Sequence, residues 1–363
     1  MNVQQGVHLP MIEELIDCPL ILPNRMRKPL IGIDTEDTRR LWLEARRLSL
    51  GASDIPAIMG TSPYTSAFKL WCDKKGLLPI DTEQLEHQTF GHLMEDTAAR
   101  AFQMRESVGT IVDPEGTGII HKDFFWNVAS PDRFLFMGDP VNTDIQFNRF
   151  WVPIEIKNVS EYKRDAWGTS FMPEDYYDQV QDQLEVMGRP CSLVLAILGG
   201  NRLLIYTVWR DIIRGDAIMR EAEAFWHSLE ADEMPPPDDS ESTTQAILKM
   251  HPRADGSEIA PSPAIIEWAT AQIEASEMIK NWEAKKALAG NNLRLSMGDA
   301  QKVKHPLFSV SYGMQSRQAL DQEAAAKDQV LQEAIGIVEQ RKALHKVTTT
   351  GRVLKVTPSK AKG

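Results

Sequence analysis

Two apolar runs at 191–198 and 203–209, separated by Gly199-Gly200-Asn201, limit the fold of this chain more than any other feature. The first run, CSLVLAIL, leaves no polar face, so a strand made from it must be covered on both sides. The Gly-Gly-Asn between the runs suits the positive backbone angles of a tight hairpin turn. A helix predicted to open at Pro173 and reach Met187 precedes the pair. Before that helix, segments 110–113, 118–121, 127–129, 133–137, 144–147 and 151–158 alternate or run apolar between turn residues, as strands do. Strands interrupted and flanked by helices predict an α/β (α+β) chain.

Helical spacing fills the remainder. Leu41, Leu43, Ala45 and Leu48 suggest a helix over 35–48, and Phe68, Leu70 and Trp71 another over 66–75 ending at Gly76. Phe90, Leu93, Met94, Ala98 and Phe102 mark an amphipathic helix over 88–103. In Gly51-Ala52-Ser53-Asp54-Ile55, Ser53 is placed to cap a short helix that stops at Gly60. A helix over 210–229 is stopped by Pro235-Pro236-Pro237, which closes the main domain. The predicted organisation is an irregular, Pro-rich arm over 1–35, a main domain over 36–240 and an accessory, largely helical region over 241–363. That last region holds one long helix over 261–289, a helical segment over 318–343, strand candidates at 307–312 and 353–356, and a basic tail.

Cys18, Cys72 and Cys191 are odd in number and far apart, which argues for a reducing, cytoplasmic setting and against a zinc or iron–sulfur site. No apolar run reaches membrane-spanning length, so no membrane partner is expected. The net charge of −11 opposes a nucleic-acid partner on average. Charge is nevertheless segregated: 341–363 holds seven Lys and Arg and no acid, while acids cluster at 230–242. An acidic protein can still hold DNA in a local basic groove, so net charge leaves the partner open.

The chemistry is concentrated in Ser130-Pro131-Asp132 and Ile154-Glu155-Ile156-Lys157. On a strand, Glu155 and Lys157 point to one face and Ile154 and Ile156 to the other. A carboxylate and an ammonium side by side, with Asp132 from a neighbouring strand, are equipped to hold a divalent cation and a water and so to hydrolyse a phosphodiester. Glu95, on the amphipathic helix, is placed to reach the same point. Each also has a plainer reading: Glu155 and Lys157 as an ion pair on a half-exposed strand, Glu95 as a solvated helix acid, Asp132 as a turn residue. Asp139 and Asp144 are rival acids in the interval before Glu155. His92, His121, His227 and His251 lack the spacing of a metal set.

Five motifs stand in one order: Gly51-Ala52-Ser53-Asp54-Ile55, Phe90-Gly91-His92-Leu93-Met94-Glu95, Ser130-Pro131-Asp132, Glu155-Ile156-Lys157 and Tyr176-Tyr177-Asp178-Gln179-Val180-Gln181. In that order the chain resembles the YqaJ-like viral recombinase family, to which phage lambda exonuclease belongs, within the PD-(D/E)xK nucleases. The resemblance spans about residues 35–255. It implies a restriction-endonuclease-like core, a central mixed sheet flanked by helices, and a metal-dependent 5′→3′ exonuclease acting on double-stranded DNA in phage or prophage recombination. It further implies Mg²⁺, with Mn²⁺ as a substitute, bound by Asp132, Glu155 and Glu95, with Lys157 beside the attacking water. Gln179, with Gln183 one turn on as a second candidate, would face the scissile end of the DNA, and Arg46, Ser53 and Ser130 would hold the 5′-phosphate. A single-strand annealing protein as partner and a homo-oligomer, a ring trimer, are the assemblies it implies. The rivals are an endonuclease on the same core and a catalytically silent DNA-binding scaffold.

Overall fold

The computed structural model describes residues 1–9, 23–24, 36–82, 85–114, 118–137, 151–314 and 322–346. In chain order the elements are β1 (Val3–Gln5), β2 (Pro23–Asn24), α1 (Glu36–Arg46), β3 (Leu50–Gly51), α2 (Ile55–Ile58), α3 (Ala67–Lys74), α4 (Glu86–Arg105), β4 (Thr110–Val112), β5 (Gly118–Ile120), β6 (Asn127–Ala129), β7 (Arg133–Phe136) and β8 (Trp151–Val159). There follow α5 (Glu174–Met187), β9 (Cys191–Leu198), β10 (Arg202–Trp209), α6 (Ile212–Glu230), α7 (Glu241–Met250), α8 (Pro263–Met297), β11 (Lys302–His305), β12 (Phe308–Ser311), α9 (Gln322–Lys327) and α10 (Gln329–Leu344). The strand candidates at 144–147 and 353–356, and the rival acids Asp139 and Asp144, lie outside the described residues.

A six-stranded mixed sheet, ordered β1-β10-β9-β8-β7-β4, forms the centre. Among its described strands β8 and β9 are the parallel pair, and α5 is the crossover between them. Every residue of β9 is buried, as its unbroken apolar run requires, because helices cover both faces. Val194, Ala196 and Leu198 pack with Val180 and Leu184 of α5. Leu193, Leu195 and Ile197 face the other way, towards Ala98 and Phe102 of α4. The expected mixed α/β fold, with a central mixed sheet between helices, is thus what the chain forms. A smaller sheet, β2-β5-β6-β3, sits in the same unit.

Two expectations differ from the structure. Residues 1–35 are not wholly an arm outside the core: Val3, 4% exposed, packs in the α5-side core, and β1 pairs antiparallel with β10. The sheet edge along β10 offers unpaired backbone groups that β1 fills. The second difference concerns where the first unit ends, placed at 240 from the Pro run. The chain divides into compact units Met1–His251 and Pro252–Gly363, because α7 buries Thr243 and Ala246 with the first. Among the described residues no helix is long and apolar enough to cross a membrane.

Candidate active site

The two halves of the expected site come together through strand pairing. In the antiparallel β7–β8 ladder Arg133 stands opposite Ile154, so Asp132 arrives beside Glu155 whatever the length of chain between the strands. The Asp132 amide donates to the Ile154 carbonyl at 3.1 Å, and the Ile156 amide donates to Asp132 Oδ2 at 2.8 Å. Alternation on β8 sends Ile154 and Ile156 into the core under α4, while Glu155 and Lys157 point to the α5 side.

There Glu155 is 3% exposed and fully engaged. Its Oε1 accepts from Lys157 Nζ and from Gln179 Nε2, each at 2.7 Å, and its Oε2 accepts from Gln183 Nε2 at 2.8 Å. Lys157 also donates to Gln179 Oε1 at 3.0 Å and lies 4.9 Å from the centre of the Tyr176 ring. Gln179 and Gln183 reach one carboxylate because residues four apart share a helix face. Burial, and then the charge of Asp132, push the Glu155 carboxyl above the usual carboxylate range. Burial alone would push the Lys157 ammonium down, but Glu155 and Asp132 outweigh it and hold it above the ordinary lysine range.

The second half is built on the turn after α1. Arg46 Nη2 donates to Ser53 Oγ at 3.0 Å and approaches Asp54 Oδ1 at 3.4 Å. Its neighbour Arg47 is turned away, donating to Asp73 at 2.7 Å and to the Leu78 carbonyl at 2.8 Å. Ser53 is not a helix cap: it lies in a 3-10 turn, Ala52–Asp54, and the residue at the cap position of α2 is Asp54. Lys74, its side chain 3% exposed, donates to Asp54 Oδ2 at 2.6 Å and to the carbonyls of Arg46 (2.8 Å) and Ser49 (2.6 Å). Burial pushes the Asp54 carboxyl up, but Lys74 and Arg46 more than offset it and hold it below the usual range.

Both halves face one cavity of about 150 Å³. Arg46, Ser53 and Ser130 line it together with Asp132, Glu155, Gln179 and Gln183. Trp42 lines it as well, with its ring 5.1 Å from the Arg46 guanidinium carbon. Sequence reading passed over Trp42, although its position one helical turn before Arg46 was a usable signal. Glu95 does not line the cavity. It comes from α4, on the opposite side of the sheet from Glu155, and its carboxylate meets His92 at 2.8 Å and Arg133 at 3.3 Å. Arg133 in turn donates to the Asp132 carbonyl at 2.6 Å.

Among the described residues no group of three or more His, Cys, Asp or Glu is arranged to hold a metal. The donor set at the cavity is therefore the carboxylate pair Asp132 and Glu155. That pair fits Mg²⁺, which prefers oxygen, keeps several waters and is commonly held by one or two carboxylates plus substrate phosphate.

Residues 41–190 match the family described as the YqaJ-like viral recombinase domain. This segment is thus similar to a YqaJ-like viral recombinase domain. It includes every residue named above as lining the cavity. The uncharacterized protein YqaJ of Bacillus subtilis (strain 168) is 28% identical over 229 residues, a match covering 61% of this chain. The match spans 66% of that relative, just under two thirds of its length. Looser overall likenesses link the chain to an alkaline exonuclease, LHK-Exo, from Laribacter hongkongensis, alone and in complex with dAMP. Each has a TM-score of 0.39 and 18% identity, covering 53% of this chain and 94% of that one. SSO0001 follows at a TM-score of 0.28 and 13% identity, covering 52% of this chain and 85% of its own.

Proposed function

We propose that the YqaJ-like domain is a Mg²⁺-dependent deoxyribonuclease that digests double-stranded DNA from 5′ ends. One observation carries the reading: a single cavity brings Arg46, Ser53 and Ser130 face to face with Asp132 and Glu155. A guanidinium with two hydroxyls suits a terminal phosphate, and a carboxylate pair suits a divalent cation. Mg²⁺, when bound by Asp132 and Glu155, would polarise the scissile phosphate and lower the pKa of a water.

The chain's own residues supply the remainder. Gln179 and Gln183 fix the Glu155 carboxylate in one orientation, so its geometry is set before substrate arrives. Lys157 places its ammonium beside Glu155, where it orients the attacking water or offsets charge developing on the phosphate. Arg46, donating to Ser53 and lying over the Trp42 ring, would receive the 5′-phosphate left by each cut and so favour stepwise digestion. Glu95 would act at one remove, by holding Arg133 against the Asp132 backbone.

The test is digestion of linear duplexes bearing 5′-phosphate or 5′-hydroxyl ends, with and without Mg²⁺, beside covalently closed circles. Linear 5′-phosphorylated DNA should be degraded at least ten-fold faster than 5′-hydroxyl DNA, and only with the metal. Lys157→Ala should lower the rate by about 10²-fold or more, the scale of losing one electrostatic contact to the transition state. Equal cutting of closed circles would show an endonuclease instead, and full activity in Lys157→Ala would remove the site.

A further inference from the structure

The helix α5 presents two polar stripes side by side. Gln179 and Gln183 hold Glu155, and one residue before each of them stand Asp178 and Asp182, a second buried pair four apart. Asp178 is wholly buried and accepts from three donors: Arg214 of α6 through Nε at 2.6 Å and Nη2 at 2.8 Å, and the Thr61 hydroxyl at 2.7 Å. The Arg214 fork already answers its charge, so burial of the carboxylate does not account for the bond to Thr61. We propose that Asp178 is a positioning residue: through Thr61 it fixes the phosphate pocket relative to Glu155, and thereby sets how many nucleotides each cut releases. The inference rests on the nuclease reading above and adds to it the contact that sets the spacing.

Two observations point to this contact. The first is where Thr61 stands. The chain leaves Ser53 of the pocket through α2 and ends in a turn, in which the Thr61 and Ser62 amides both donate to the Pro56 carbonyl at 2.9 Å. The Thr61 hydroxyl has one proton, and Asp178 at 2.7 Å takes it in preference to the Pro56 carbonyl at 3.4 Å. Before Ser53, the chain is tied by Gly51, which pairs with Val128 of β6. A segment tied there alone would be free to pivot. The bond to Asp178 holds its other end, one residue from Gln179, and a helix passes such a tie on with little give because its rise per residue is fixed at about 1.5 Å.

The second observation is how the two parts pack. The helix α2 lies against α5, yet their large apolar side chains go to different clusters. Ile55 and Ala57 pack with Trp71 and Phe225, whereas Val180 and Leu184 of α5 pack against the sheet. Apolar burial is non-directional and sets no register between the two. Hydrogen bonds do: Asp178 with Thr61, and Asp182 with Asn127 of β6.

Product length tests the positioning. The full-length protein digests a 5′-end-labelled duplex with Mg²⁺, and the labelled products are sized. The wild-type protein should release one length. Thr61→Val keeps the side-chain shape and leaves Arg214 on Asp178. It should release mixed lengths and lower the preference for 5′-phosphate over 5′-hydroxyl ends by about five-fold, the worth of one hydrogen bond. Thr61→Ser keeps the hydroxyl and should match the wild-type protein, while Thr61→Ala should match Thr61→Val, so the comparison stands even if Thr61→Val fails to fold. Ser53→Ala weakens the pocket without moving it, and should lower the end preference with one product length retained. One length from Thr61→Val and Thr61→Ala, or mixed lengths from Thr61→Ser or the wild-type protein, would overturn the positioning and leave the nuclease reading in place. A wild-type protein that cuts no duplex would remove both.

Discussion

Asp182 is a fully buried acid on α5 that does not line the cavity. Its Oδ1 accepts from Asn127 Nδ2 at 2.8 Å, while Asp182 Oδ2 and Asn127 Oδ1 are both buried without a partner among the described residues. A proton on Oδ2 would remove the need for a donor that this buried acceptor lacks. Burial pushes the Asp182 carboxyl up to about 7, which is the same conclusion reached from charge. The unfolded chain releases this proton near the ordinary value of 3.8, but the folded chain keeps it to about 7. The folded state therefore binds more protons between those values, so Asp182's contribution to stability declines as pH rises through that window and is level above it. The decline is on the order of 4 kcal/mol at 1.36 kcal/mol per unit. Asp182→Asn keeps a neutral amide in place and removes the dependence. Urea midpoints at pH 4.5, 6 and 8 should show the variant gaining on the wild-type protein across the series; parallel curves would mean that Asp182 is ionised in the fold.

At the scale of elements, the turn from α1 to α2 carries Arg46 and Ser53, and one buried cation organises it. Lys74 reaches across from α3 to Asp54 and to the backbone of Arg46 and Ser49. Lys74→Met would take the ammonium from the buried Asp54 carboxylate, leaving it the Gly51 amide at 2.9 Å and Arg46 at 3.4 Å, and would take the same donor from two carbonyls. Breaking one side of a buried pair costs about 3–5 kcal/mol. The functional signature is more particular: preference for 5′-phosphate over 5′-hydroxyl ends should fall by ten-fold or more, while Mg²⁺-dependent cutting of 5′-hydroxyl DNA changes little. Equal loss on both ends would mean that Lys74 supports the fold alone. Little of this was legible beforehand. The order of the motifs and the alternation of Ile154, Glu155, Ile156 and Lys157 were enough to face Glu155 towards Gln179, because strand and helix periods are local properties. Asp54 and Lys74 meet through tertiary packing, which no local period records. Glu95 shows the same limit: its place on a buried-side helix was readable, but the interception by Arg133, next to Asp132 in the chain, depends on which side of the sheet α4 covers. The three-residue strand β1 was missed because its order comes from the β10 edge and not from its own sequence.

The whole molecule is unequally divided in what holds it together. The core clusters draw on residues between Val3 and Met250, whereas beyond His251 Met297 and Ala325 are the buried apolar residues among those described. Apolar burial is the main favourable contribution to folding, so the stability of one chain resides almost wholly in Met1–His251. That predicts how a shortened protein behaves. A chain ending after His251 keeps the sheet, both helical layers and the cavity, and loses α8. Its thermal midpoint should lie within about 4 °C of the full-length value, since roughly 1 kcal/mol moves a domain of this size by about 2–4 °C. Its digestion of linear duplex should persist. Calorimetry and duplex digestion on the same preparation separate stability from activity. A large drop in midpoint would show that Pro252–Gly363 braces the first unit, whereas an unchanged midpoint with persisting digestion would place stability and activity in Met1–His251.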